Sequence, residues 1–303
     1  EMPSGYLGFV IEGLGTKNLV ADKMYALAKE MHALTGRSYY DQVAQCNVAM
    51  VVNDMITLGS RPISFGQYLA VGDSDWFSDQ TRFEDLIEGT RKACGLARCS
   101  WGPGEMPILK DMVFPATAEL AGAALGWIPD KRQLINPEKI AHGDAIILIE
   151  SSGIHANGLT MARKIADKLP DGYLTRLDDG QTYGETLLDA THIYVGLVED
   201  CLNRGIAIHY TVNITGHGWR KLMRATQSFA YIVEQLPKQL PIFGFLQEHG
   251  PVDDTEAYGN FNMGAGFALY VSEADADAVL EVAASHNIGA LRAGYIERSD
   301  DKK

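Results

Sequence analysis

Basic residues are scarce in this chain. Lys and Arg number 26 against 39 Asp and Glu, which leaves a formal charge of −13 and a pI near 5.0. A surface this acidic repels phosphate backbones and anionic lipid, so neither nucleic acid nor a membrane is an expected partner. One small phosphorylated ligand is still allowed, because a buried Lys, a metal ion or a helix N-terminus reverses the sign locally. Long apolar runs are absent as well: none approaches the ~20 residues that cross a bilayer. Cysteine is sparse, with Cys46, Cys94, Cys99 and Cys201 in 303 residues. Only Cys94 and Cys99 are close in sequence, and without a second pair their spacing reads as reduced thiols rather than a zinc site. The opening residues lack the basic-then-apolar order of a secretory signal, so a cytoplasmic location is expected. Also missing are the G-x4-G-K-[ST] phosphate loop, G-x-G-x-x-G, a nucleophile elbow and H-E-x-x-H.

What is present is a globular composition, 46% hydrophobic and 21% charged. The length favours two domains of roughly 130–170 residues each. Short apolar runs bounded by turn residues predict strands over Tyr6–Ile11, Ile63–Ala70, Leu120–Ile128, Asp144–Glu150 and Phe267–Val271. Apolar residues at helical spacing predict helices over Val43–Leu58, Phe83–Ala97, Leu159–Leu169 and Ile193–Leu202, and Ser272 with Asp275 reads as a capping box opening one more helix through Ala284. Strands alternating with helices give an α/β or α+β class. The polar, proline-flanked stretch 129–137 is the expected linker, dividing residues 1–130 from 136–303.

Five polar segments could carry chemistry. Glu12-Gly-Leu-Gly-Thr-Lys17 follows a strand; its glycines let backbone approach a ligand, Thr16 offers a hydroxyl and Lys17 a point charge for phosphate. An ordinary strand-to-helix turn would look the same. Asn53-Asp54, near the end of an apolar helix, reads either as a helix-end cap or as oxygen donors for a magnesium–nucleotide complex. Ser151-Ser-Gly-Ile-His155-Ala-Asn157-Gly158 lies between a buried strand and a helix and is dense in hydrogen-bonding groups where free backbone N–H groups attract anions. Asn213-Ile-Thr215-Gly216-His217-Gly218 is a second glycine-rich polar turn. Gly102-Pro-Gly-Glu105-Met-Pro107 reads as a rigid loop presenting one carboxylate.

Taken in order, these segments resemble the phosphoribosylformylglycinamidine cyclo-ligase, or aminoimidazole ribonucleotide synthetase, family. The resemblance rests on EGLGTK at 12–17, AMVVNDM at 49–55, GPGEMP at 102–107, SSGIHANGLTMARKI at 151–165, THIYVGLV at 191–198, NITGHGW at 213–219 and FNMGAG at 261–266. It implies a two-domain fold in which an N-terminal ATP-binding domain completes a β-barrel across a homodimer, followed by a C-terminal α/β domain. It implies Mg²⁺ and ATP as cofactors, a small phosphorylated substrate, and ATP-dependent ring closure of formylglycinamidine ribonucleotide in purine biosynthesis. Carried over by position, Lys17, Asp54 and His155 are the catalytic candidates. Glu12, Gly13, Gly15, Thr16, Lys17, Asn53 and Glu105 fall around ATP, with Asp54, Glu12 and Glu105 as metal ligands. Ser151, Ser152, Gly153, His155, Asn157, Thr215 and Gly216 fall around substrate. The chain departs from the family pattern in having Glu at position 12, Cys46 at an acidic position, a shortened acidic loop before Met106 and Trp219 in place of Phe. An ATP-dependent relative with another substrate, and a non-catalytic nucleotide-binding protein on the same scaffold, are the alternative readings.

Overall fold

The computed structural model of the chain describes residues 4–30 and 37–301. Two sheets form its frame. The first contains β1 (Tyr6–Gly13), β2 (Arg61–Val71), β3 (Ser100–Glu105) and β4 (Ala118–Ile128) in the order β1-β4-β2-β3, with only the β2–β3 pair parallel. The second contains β5 (Ala145–Glu150), β6 (Ile208–Asn213), β7 (Phe229–Val233), β8 (Ala265–Val271) and β9 (Ala290–Arg298) in the order β6-β8-β5-β9-β7, antiparallel throughout. Among the described residues the α-helices are α1 (Lys17–Glu30), α2 (Tyr40–Ile56), α3 (Gln80–Leu96), α4 (Leu159–Ala166), α5 (Tyr183–Leu188), α6 (Val195–Asn203), α7 (Pro241–His249), α8 (Asp254–Asn260) and α9 (Ala276–Ser285).

Burial explains the assembly. Strand β8 is buried at every position and β5 at all but Glu150. One face of this sheet, with Ile147, Phe267 and Leu269, packs on Leu197 and Val198 of α6 and Val279 of α9. The other, with Ile146, Leu148 and Tyr270, packs on Leu222 in a 3-10 turn over 218–223. The first sheet is covered on one face only, by α2, and its strands alternate accordingly. Helix α2 is buried nearly all round because it packs between the two halves. Its first turns, at Val43 and Ala44, share a core with Tyr183 and Leu187, whereas Val48, Val51 and Met55 share one with Tyr194 and Leu197. The stretch between β4 and β5 is also tied down: Ile135 is buried and its N–H donates to Leu58 O at 3.1 Å.

Two local expectations are corrected. Residues 100–105 are an edge strand rather than a rigid loop. Gly102 and Gly104 serve close strand approach: a Cβ at either would lie 2.3 Å from Ser64 Oγ or 2.7 Å from Gln67 O. Ser272 does not open a helix directly. A 3-10 turn over 273–275 comes first, and Ser272 Oγ donates to the Asp275 carboxylate at 2.9 Å instead of accepting a backbone N–H.

Candidate active site

The end of β1, the last turn of α2, β6 and the 218–223 turn converge on a cleft of about 390 Å³, which brings Glu12, Asp54, Asn213, Lys221 and Arg224 together. Asn213 Nδ2 donates to Asp54 Oδ1 at 2.6 Å, which fixes that carboxylate toward the second sheet. Burial and the charge of Asp54 raise the Glu12 pKa, with Lys221 opposing. Burial lowers the Lys221 pKa, while both acids favour its charge, and its ammonium also reaches Thr215 Oγ1. Two mutually repelling carboxylates beside two cations form a donor set suited to a hard divalent cation bound to phosphate. The adjoining turn opens to free space: a Cβ at Gly13 or Gly15 would meet nothing within 4 Å.

The other sequence candidates are distributed differently. Lys17 is fully buried, and its Nζ donates to His155 O at 2.9 Å and Asp189 O at 2.5 Å. In this structure it ties α1 to the 151–158 loop and does not line the cleft. Asn53 is also buried: its Nδ2 donates to His192 O at 2.8 Å, and its Oδ1 accepts from Tyr194 N at 2.9 Å. Both ends of the amide are therefore used in holding the backbone before α6. His155 is buried with its Nε2 accepting from Ser152 N at 3.2 Å, and burial, ahead of nearby His192 and Lys17, holds its pKa well below the ordinary histidine range. It is a neutral acceptor inside the loop. Asn262 clamps the same loop, accepting from Ser151 Oγ and donating to Gly153 O, each at 2.8 Å, while Ser152 Oγ donates to Ala190 O at 2.6 Å. Thr16 precedes α1, with its carbonyl accepting from Leu19 N at 3.2 Å.

Asn157 and Gly216 line a second cavity, of about 550 Å³, at the N-terminus of α4. The 213–217 turn lies between the two cavities, with Asn213 and the Lys221 partner Thr215 on one side and Gly216 on the other. Asn157 Nδ2 is buried without a hydrogen-bond partner among the described residues. Glu105 is not part of either group. It sits on β3, across the sheet from Glu12 on β1, and so the three acids expected to hold a metal are not gathered within one chain. No cluster of three or more His, Cys, Asp or Glu able to hold a metal occurs among the described residues.

Cys46 is fully buried on α2, and its Sγ accepts from Thr191 N at 3.3 Å and Thr191 Oγ1 at 3.2 Å. A carboxylate there would be buried, and Lys17, the nearby cation, already donates to two backbone carbonyls. Cys46→Asp is expected to destabilise the fold by about 2–4 kcal/mol. Thermal melts with and without Mg-ATP check this: a normal melting temperature with an enlarged ligand shift would instead make the position a diverged metal site.

Asp189 was not legible as a site residue. Burial raises its pKa from 3.8 to about 6, with Lys17 opposing and Asp179 and Glu185 reinforcing. Its folded-state pKa lies above its unfolded value, so its stabilising contribution is present below about pH 4 and lost as pH rises through about 6. Asp189→Asn is therefore expected to stabilise the protein at pH 7.5 by about 1–2 kcal/mol, discounted for partial exposure, and to change nothing at pH 3.5. Urea unfolding at the two pH values measures the difference, and an equal effect at both would remove the titration from the explanation.

Lys221 and Arg224 were missed as well. Their signal was a basic run, Arg220-Lys221 and Arg224, directly after a glycine-rich polar turn in a chain short of basic residues.

Residues 14–125 match the family described as AIR synthase related protein, N-terminal domain, and residues 141–303 match AIR synthase related protein, C-terminal domain. Phosphoribosylformylglycinamidine cyclo-ligase of Methanocaldococcus jannaschii is 34% identical over 298 residues, which is 98% of this chain and 79% of that protein. The protein of the same name from Methanococcus maripaludis is 32% identical over 300 residues, 99% of this chain and 80% of its own. Among solved structures, T. maritima PurL complexed with ATP superposes with a TM-score of 0.61 at 12% identity, over 98% of this chain but only 41% of PurL. Thiamine-monophosphate kinase from Stenotrophomonas maltophilia gives a TM-score of 0.66 at 16% identity, over 100% of this chain and 86% of that one. At those identities the two structures share the fold.

Proposed function

The chain belongs to the AIR synthase related protein family, and on that premise we propose that it is an ATP-dependent cyclo-ligase, closing the imidazole ring of aminoimidazole ribonucleotide from formylglycinamidine ribonucleotide in purine biosynthesis. The observation that carries the reading is the convergence of Glu12, Asp54, Lys221 and Arg224 on one cleft between the sheets. An amide oxygen is a poor leaving group. In the proposed reaction it attacks the γ-phosphorus of ATP and ADP departs. The amidine nitrogen then bonds to the activated carbon, the C–O bond breaks, and phosphate leaves with loss of a proton from nitrogen.

Lys221 and Arg224 bind the phosphate oxygens and stabilise charge as it shifts during transfer. Glu12 and Asp54 would hold Mg²⁺, which supplies charge neutralisation between phosphates when bound. Asn213 orients Asp54, and Thr215 orients Lys221. The 151–158 loop, with Asn157 and Gly216 at its open side, would place the substrate; Lys17, Asn53 and His155 hold that frame from within. Formylglycinamidine ribonucleotide labelled with ¹⁸O at the formyl oxygen tests the sequence of steps. The label should appear in inorganic phosphate, and its retention in the organic product or release as water would refute phosphoryl activation.

No helix among the described residues is long and apolar enough to cross a membrane, and a cytoplasmic location is part of the proposal. So is a homodimer. Leu7, Phe9 and Ile11 of β1, Ile63 and Tyr68 of β2 and Leu125 of β4 are exposed, Phe9 and Ile11 at 69% and 67%. A second copy covering that face would also protect the edges at β1 and β3. Light scattering should give about twice the 33.1 kDa chain mass, and the Phe9→Asp/Ile11→Asp pair should give monomer. A wild-type monomer at micromolar concentration would overturn the dimer.

A further inference from the structure

The 218–223 turn that sends Lys221 into the cleft also walls a separate cavity. Trp219, Tyr231 and Tyr258, with Met223 and Val233, enclose about 350 Å³ beside β7 and α8. We propose that this cavity is a second ligand site, for a flat heteroaromatic ring with an anionic tail, the chemistry of a purine nucleoside monophosphate.

Three features carry the assignment. Trp219 and Tyr258 meet edge to face with ring centroids 5.0 Å apart, which leaves ring surface on the cavity wall. The indole is fixed beforehand, since Trp219 Nε1 donates to Asn262 O at 2.7 Å, and a preformed wall does not have to be ordered on binding. Arg220 lines the same cavity, is exposed, and makes no ion pair among the described residues in a chain with a net charge of −13. Its guanidinium lies beside Gly259, where a Cβ would come within 2.8 Å of Nη2, so the glycine keeps that end of the cavity open. The ring packs on the aromatic wall of Trp219 and Tyr258, and the phosphate meets Arg220. Asn262, which holds Trp219, also clamps the 151–158 loop through Gly153 O at 2.8 Å, so an occupant of the cavity abuts the frame of the catalytic loop.

Calorimetric titration of the full chain with adenosine 5′-monophosphate, adenosine and ribose 5-phosphate tests the proposal. The monophosphate should bind, adenosine should bind about tenfold more weakly because one charged contact is lost, and ribose 5-phosphate should not bind. Thr255→Trp, at an exposed lining position, should abolish the event by filling the mouth. Arg220→Ala should erase the difference between the monophosphate and adenosine. Lys221→Ala, in the cleft, should leave the event intact, which separates this site from the nucleotide cleft whether or not the ring-closure reading holds. Binding that survives Thr255→Trp but is lost in Lys221→Ala, or no binding at millimolar ligand, would overturn the assignment.

Discussion

Lys17→Ala is expected to cost the fold about 3–5 kcal/mol. The ammonium bridges His155 O and Asp189 O from a fully buried position. Its removal takes the ammonium from the buried His155 carbonyl and leaves the part-buried Asp189 carbonyl with the weak Cys46 thiol contact, at ~1–3 kcal/mol for a buried group left unpaired, beside the void of a four-carbon stem. Both carbonyls belong to segments that pack against the N-terminal half, so the loss weakens the join between halves and with it the position of the 151–158 loop. Lys17→Met, which keeps most of the volume, should recover part of the deficit. Urea denaturation of the two variants reads the effect. Unchanged stability with sharply weakened ATP binding would return Lys17 to the role that its motif suggests, a direct phosphate ligand.

Lys221→Ala should behave in the opposite way. It removes a cation from a cleft that holds Glu12 and Asp54, and the charge it would stabilise develops only during phosphoryl transfer. A single preorganised donor of this kind is worth about 10²–10³ in turnover. The melting temperature should move by no more than a few degrees, because the hydrogen bond Lys221 makes is to Thr215 on its own half, and burial, which lowers its pKa, opposes the attraction of Glu12 and Asp54. Steady-state ATP turnover with formylglycinamidine ribonucleotide is the measurement. A variant within threefold of wild type would take Lys221 out of the mechanism.

The contrast between these two lysines shows where sequence reading stops. A lysine after a glycine turn and one inside a basic run are equally plausible phosphate ligands on paper. Which of them faces the cleft depends on α2 packing between the halves, so that Lys17 at the start of α1 points inward toward residues 138 and 172 positions away. The Asn53-Asp54 pair divides for the same reason. Neighbours on a helix point about 100° apart, so Asn53 faces the buried segment before α6 while Asp54 faces the cleft. The strands Tyr6–Gly13 and Ala118–Ile128 were legible as apolar runs, but which face is buried was not, because the exposed positions also carry Leu7, Phe9, Ile11 and Leu125. Gly102 and Gly104 misled because a glycine that lets strands approach reads as a turn. Asp189 carried no local signal, since its environment is assembled from Lys17, Cys46 and Gly153.

The central claim is that the cleft between the sheets performs ATP-driven ring closure. The most direct measurement incubates the purified chain with Mg-ATP and formylglycinamidine ribonucleotide and quantifies aminoimidazole ribonucleotide, ADP and phosphate together. Equal amounts of the three, all abolished together in Asp54→Asn, are the expected result. ATP hydrolysis that formylglycinamidine ribonucleotide does not stimulate, or ring closure that persists in Asp54→Asn, would contradict it.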